Sequence, residues 1–301
     1  MDIYRIAVSD GDTVGGELVR QVYKVFRALE RGGNAAFQLE QITACGPAIE
    51  QYGVPFPEKE LERATSCRAL LFGNIGSQRY SSLPAEQRPE RALLAARKAF
   101  GVCTNLRPAK IFPGMESFSP LKAEITQKGF DMFAVRDLMG GMIPGKKERG
   151  EGPYGREASD LEYYHEQMVE INARWAFQIA RSRRGKVTSL DKSNVLYSSA
   201  LWREKVGEVA RQYPDVTLRN TLIDAAAMEV ISNPADFDVI LTSNMFGDIL
   251  SDEIAQLTGT PWMFGSAELA GDGRGIYTPN QLHHPGATPL PERALSAPTA
   301  F

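Results

Sequence analysis

The amino-acid sequence predicts an α/β fold. Short apolar runs alternate with helical patterns along most of the chain, as expected when strands and helices are taken in turn. The first apolar run is followed at once by the glycine-bearing turn Asp10-Gly-Asp-Thr-Val-Gly-Gly16 and a helical segment. The same order recurs late, where Phe237-Asp-Val-Ile-Leu-Thr242 leads into Ser243-Asn-Met-Phe-Gly-Asp-Ile-Leu-Ser-Asp-Glu253.

In order, residues 4–9 read as a strand and 17–31 as the helix after the turn. A strand over 36–42, a helix over 57–65, a buried strand over 69–72 and a helix over 89–100 follow. Residues 131–136 form another strand candidate. Residues 140–155 are rich in glycine and polar side chains and read as a loop or projecting arm. A long helix spans 160–183. Strand 186–191, helix 199–213, strand 217–222, helix 225–233 and strand 239–242 complete the regular part. After Leu257 glycine and proline become frequent, and residues 285–301 show little periodicity. The turn at 10–16 is not GxGxxG and no acidic residue is well placed after a second strand, so it is weak evidence for a standard dinucleotide site.

Composition narrows the function classes. With 301 residues, 43% hydrophobic and 24% charged, the chain is long enough for one large or two medium domains with a sizeable core. A net charge of −3 gives no basic excess for nucleic acid or an anionic membrane. The basic run Arg181-Ser-Arg-Arg-Gly-Lys186 reads as a helix C-terminus, where cations are favoured. Cys45, Cys67 and Cys103 are odd in number and widely spaced, which argues against a disulfide framework and for a reducing, cytoplasmic setting. Three histidines, His165, His283 and His284, do not suit a histidine-rich zinc site.

Asp248 and Asp252 are four residues apart, so on a helix their carboxylates share one face. Like charges at that range favour a divalent cation with oxygen ligands between them; a solvated acidic helix end is the plainer alternative. Asp224 follows a strand and opens a small-residue helix, where it also suits an N-cap. Lys192 ends a strand, the place where ligands gather in open α/β sheets. Arg97, Arg107 and Arg136 stand in non-basic contexts and are forks suited to carboxylates. Each has a plain surface reading alone. Together they point to a small polycarboxylate, a divalent metal on aspartates and a lysine placed for proton transfer.

Six segments carry a resemblance to a known family. They are Arg88-Pro-Glu-Arg-Ala-Leu-Leu94, Asn105-Leu-Arg-Pro-Ala109, Val135-Arg-Asp-Leu-Met-Gly-Gly141, Leu190-Asp-Lys-Ser-Asn-Val-Leu196, residues 223–228 and residues 242–253. In order and spacing the chain resembles the metal-dependent β-decarboxylating dehydrogenases, isopropylmalate dehydrogenase type, over residues 4–258. The resemblance implies a two-domain, doubly wound α/β sheet that is not a standard Rossmann fold. Domain one would take residues 1–100 and 253–301, and domain two residues 101–252, with an arm at about 140–160. It also implies that Arg97, Arg107 and Arg136 bind the carboxylates of a hydroxy-diacid, and that Asp224, Asp248 and Asp252 hold Mg²⁺ or Mn²⁺. Lys192 would be the base, working with Asp224 of the same subunit across a homodimer interface. Glu90 would lie near the nicotinamide of NAD and the substrate, and Asn244 would line the cofactor cleft. The activity implied is NAD-dependent oxidative decarboxylation in leucine biosynthesis, with no nucleic-acid or membrane partner.

The pattern also breaks. The family follows Gly-Gly with a two-residue step to a catalytic tyrosine; here Gly140-Gly141 leads to Ile143, which cannot donate a proton. Tyr154, further along the arm, is the nearest substitute in sequence. The loop that embraces the adenosine of NAD has no acidic counterpart in Asn280-Gln-Leu-His-His-Pro-Gly-Ala287, and the family's closing helices are not matched. The early turn is altered as well. Two alternatives therefore accompany the dehydrogenase reading: a metal-dependent lyase or decarboxylase without hydride transfer, and a non-catalytic paralogue.

Overall fold

A computed structural model describes residues 2–33 and 35–279. In chain order the elements are β1 (Asp2–Gly11), α1 (Gly15–Arg31), β2 (Ala35–Gln41), α2 (Gly46–Tyr52), α3 (Glu58–Thr65), β3 (Ala69–Asn74) and α4 (Glu90–Phe100). Then come β4 (Val102–Lys110), α5 (Ala123–Thr126), β5 (Asp131–Asp137), β6 (Lys147–Gly152), β7 (Gly155–Asp160), α6 (Glu166–Arg181) and β8 (Lys186–Asp191). The last are α7 (Tyr197–Ala210), β9 (Thr217–Leu222), α8 (Ile223–Ser232), β10 (Val239–Thr242), α9 (Asn244–Leu257), β11 (Gly265–Ala270) and β12 (Gly275–Pro279). The chain divides into two compact units: Met1–Val102 with Trp262–Phe301, and Cys103–Pro261.

In the first unit the strands run β2-β1-β3-β12-β11. The first four are parallel, and β11 turns back antiparallel to β12. Alternation along the strands builds two apolar layers, because successive side chains face opposite sides. Ile6, Val8 and Leu71 pack with Val19 and Val22 of α1. Ala7, Leu70, Phe72 and Ile276 pack on the opposite side with Ala64 of α3 and Ala92, Ala96 and Phe100 of α4. Helices thus cover both faces, the doubly wound arrangement. The glycines after β1 are set by close approach of backbone: a Cβ on Gly11 (φ +64°) would lie 1.8 Å from the Asn74 carbonyl, and one on Gly15 equally close to the Asp10 carbonyl.

The second unit repeats the plan in the order β4-β5-β10-β8-β9. Strands β5, β10, β8 and β9 are parallel, and β4 is antiparallel to β5. Met132, Ala134, Leu190 and Ile240 meet Ala226 and Val230 of α8 and Leu250 and Ile254 of α9. Helices α6 and α7 bury Phe177 and Trp202, and the Trp202 indole donates to Ser189 Oγ at 3.1 Å. Below α6, the basic run is held by carboxylates: Arg183 Nε donates to Asp238 Oδ1 at 2.8 Å and its Nη2 to Asp131 Oδ1 at 2.6 Å. Strands β6 and β7 pair antiparallel as a separate hairpin, almost wholly exposed, within the segment read as an arm.

Several sequence expectations need correction. Helix α9 is one piece, so the chain returns to the first unit at Trp262 rather than at residue 253. The helix expected from 160 begins at Glu166, because β7 extends to Asp160. Helix α8 starts at Ile223, which puts Asp224 in its first turn and Leu222 at the N-cap. Helix α2 and strands β4, β11 and β12 were not foreseen; a proline within β4 and the glycines around β11 and β12 obscured them. Residues 280–287, which the resemblance sets against the adenosine loop, lie outside the described residues. Among the described residues no helix is long and apolar enough to cross a membrane, and the three cysteines are free and buried.

Candidate active site

The second unit gathers most of the predicted residues at the carboxyl ends of its strands and on the helices that follow. Helix α9 starts after Ser243 at the end of β10, which carries Asp248 and Asp252 past β5 and β4. Arg136, near the end of β5, ion-pairs with Asp248. Arg107, on β4, donates through Nη2 to Asp252 Oδ1 at 2.6 Å. Both arginines are largely covered, while the two carboxylates remain mostly open to solvent. The α9 face therefore presents two exposed carboxylates, each backed by a guanidinium.

Arg136 is held in place from two sides. Its Nη2 and Nε donate to Asn244 Oδ1 at 2.9 and 3.2 Å. Gly247 lies against its stem, where a Cβ would fall 2.7 Å from Arg136 Cγ and 2.8 Å from Arg136 Cβ. Asn244, expected to line the cofactor cleft, is buried. Its amide Nδ2 donates to the Gly140 carbonyl at 2.9 Å, and its backbone N–H donates to Tyr164 Oη at 2.9 Å. Its polar groups are thus engaged inside the unit, where they orient Arg136.

Beneath this lies a buried polar network absent from the sequence reading. Asp137 is fully buried. It accepts from the Gly140 N–H at 2.7 Å, the Met139 N–H at 3.1 Å and Asn172 Nδ2 at 2.7 Å. Asn172 Oδ1 in turn accepts from Thr104 Oγ1 at 2.7 Å. Burial pushes the Asp137 carboxyl above its usual range against the pull of those donors. Tyr164 is pushed far above the usual phenol range by burial and then by the Asp137 charge. That makes Tyr164 a poor acid. Ile143 is partly exposed, and Tyr154 sits at the hairpin tip, fully exposed.

Lys192 and Asp224 form a second pair. Lys192 follows β8, Asp224 opens α8, and Nζ lies 2.7 Å from Oδ1. The Lys192 hydrogen bond, with backbone N–H groups of the first helical turn, holds the Asp224 carboxyl below its usual range. Among the described residues of this one chain, no cluster of three or more His, Cys, Asp or Glu side chains forms that could hold a metal. Asp224 is therefore not brought together with Asp248 and Asp252 in a single copy.

Glu90 and Arg97 belong to the first unit. They lie two turns apart on α4, with Glu90 exposed at its start. Arg97 Nε donates to Glu268 Oε2 at 2.8 Å, and Nη2 pairs with the other oxygen. Glu268, on β11, is buried. It was missed in the sequence, although a lone charge within Ser266-Ala-Glu-Leu-Ala270 was a visible signal.

Comparison with known proteins places the chain in a family. The family model described as isocitrate/isopropylmalate dehydrogenase matches residues 5–288. A 3-isopropylmalate dehydrogenase from Vibrio cholerae is 47% identical over 278 residues, 92% of this chain and 77% of that protein. The Escherichia coli K12 enzyme of the same name is 47% identical over 279 residues, with the same coverage of both chains. Among solved structures, isocitrate dehydrogenase from Methylococcus capsulatus superposes with a TM-score of 0.74 at 25% identity, covering 92% of this chain and 77% of that one. A β-decarboxylating dehydrogenase from Thermococcus kodakarensis gives 0.71 at 28% identity, covering 92% and 75%. With the family model spanning nearly the whole chain and close relatives along the same span, this chain belongs to the isocitrate/isopropylmalate dehydrogenase family.

Proposed function

We propose that the chain oxidatively decarboxylates a 2-hydroxy diacid of the 3-isopropylmalate type, using NAD and Mg²⁺ or Mn²⁺. The observation that carries this reading is the α9 face, where Asp248 and Asp252 each stand beside a largely covered arginine. Cation ligands and anion ligands alternate there, which suits a metal–carboxylate complex. The exposed carboxylate oxygens fit a hard divalent ion but are too few alone, and Asp224 of a second copy would complete the set. Arg97 and Glu90 are assigned to substrate and cofactor on the resemblance alone.

A homodimer follows from the same reasoning. Val195, Tyr197, Met228 and Ile249, on or beside α7, α8 and α9, are large apolar side chains left exposed in the single copy, as suits a surface a partner covers. A second copy seated there would bring Lys192 and Asp224 to the facing site.

When bound, the metal would polarise the substrate oxygens and NAD⁺ would accept the hydride. Arg107 and Arg136 would hold the carboxylates, with Arg136 kept in aim by Asn244 and Gly247. Lys192 would take the C2 hydroxyl proton. The Asp224 carboxylate, 2.7 Å from Nζ, holds the amine in place for that transfer. The β-keto acid left after hydride loss would release CO₂, and the carbon so exposed needs a proton.

Ile143 favours one variation: the final protonation by a chain residue is lost, and solvent supplies that proton. The test is NADH formation from 3-isopropylmalate with NAD⁺ and Mg²⁺, alongside CO₂ release. Both products at equal rates support the reading. CO₂ without NADH favours a decarboxylase, and neither product sinks both.

A further inference from the structure

We infer that Glu268 is a specificity-determining residue, an internal carboxylate that occupies Arg97 and sets how strongly the chain takes up a diacid. The inference rests on the proposed function, in which Arg97 belongs to the substrate site. It comes from a contact in the first unit that the reaction does not require.

Arg97 lies on α4 and Glu268 on β11, 171 residues apart in sequence. The guanidinium meets the carboxylate with two parallel contacts, Nε to Oε2 and Nη2 to Oε1. This fork-to-fork geometry is the one a substrate carboxylate would seek. Only 3% of the Glu268 side chain is exposed, against 33% for Arg97. The acid is thus anchored in the sheet layer while the base reaches outward. A carboxylate so deeply buried cannot relax into water, and it keeps its partner because an unpaired buried charge is costly.

Two consequences follow. The pair is close to neutral, so Arg97 offers an approaching anion far less attraction than a lone guanidinium. The Nε–Nη2 edge is also taken, so a substrate carboxylate that seeks that edge must displace Glu268. A substrate whose group at Arg97 is a neutral hydrogen-bond acceptor does not meet that competition. Glu268 therefore tilts selection away from a full second carboxylate at this point.

A purely structural ion pair makes a different prediction, and Glu268→Gln separates the two. Glutamine keeps the shape and one acceptor for Arg97 while removing the charge. Calorimetric titration of the parent and the variant with 3-isopropylmalate in Mg²⁺, and with a 2-hydroxy monocarboxylic acid as control, reads the effect. The expected result is diacid binding tightened about tenfold or more in the variant, with the monoacid changed less than about twofold. Far-ultraviolet dichroism and thermal unfolding check that the variant is folded, and Glu268→Ser serves as a second variant if it is not. Unchanged or weaker diacid binding by a folded variant overturns the inference, and a weaker one makes Glu268 a positioning residue for Arg97. No diacid binding by either protein overturns the proposed function itself, and with it the ground for the inference.

Discussion

Lys192 Nζ stands 2.7 Å from Asp224 Oδ1, and that contact keeps the carboxyl ionised below the usual carboxylate range. A depressed folded pKa contributes stability above the ordinary value and loses it as pH falls through the folded one. In Lys192→Met the Asp224 pKa returns upward, so protonation of Asp224 begins at higher pH than in the parent. Carboxyl NMR titration between about pH 2 and 5 checks this. Turnover in the same variant is expected to fall by about 10² to 10⁴, with diacid affinity changed far less.

Gly247 is required by Arg136. A methyl at that position would sit 2.7 Å from Arg136 Cγ and 2.8 Å from Thr242 Cγ2, and neither the strand nor the helix start can give way freely. Gly247→Ala is expected to cost about 1–3 kcal/mol of stability, read from the denaturant midpoint. Diacid binding should weaken as well, because Arg136 is pushed out of line with Asp248. A variant with parent-like affinity would show that Arg136 does not aim at substrate.

Asp137 anchors the Gly140 turn. In Asp137→Ala the N–H groups of Gly140 and Met139 and the Asn172 amide lose a buried acceptor at once. The expected loss is about 3 kcal/mol or more, measured by chemical unfolding. The Asn172→Ala change, which removes one of those donors and the Thr104 partner, should cost less.

Ile143→Tyr puts a phenol at the partly exposed place to which the resemblance assigns the acid. The rate at which decarboxylated ketone forms, followed by mass spectrometry, should rise. An unchanged rate would mean that solvent or another residue already delivers that proton efficiently.

The α/β class and most strands and helices were legible because apolar periodicity is local. Asp248 and Asp252 could be set on one face from spacing alone, and Lys192 at a strand end from the strand itself. Partnerships were not legible: nothing near Arg97 in sequence signals Glu268, and nothing near Arg136 signals that Asn244 would turn inward to hold it. Strand β4 was missed because Pro108 sits inside it. Asp137 was in plain view within Val135-Arg-Asp-Leu138, but its burial depends on α6 bringing Asn172 beneath it.

The counter-ions built into α9 have a thermodynamic consequence. Asp248 and Asp252 each begin with a guanidinium of their own. A divalent ion held by those carboxylates would compete with both arginines for their charge, and an arginine so weakened in its pair would be a better trap for an anion. By reciprocity of linked equilibria, the anion then improves the uptake of the cation by the same factor. Cation and diacid should therefore bind with positive cooperativity, each weak alone and strong in the other's company.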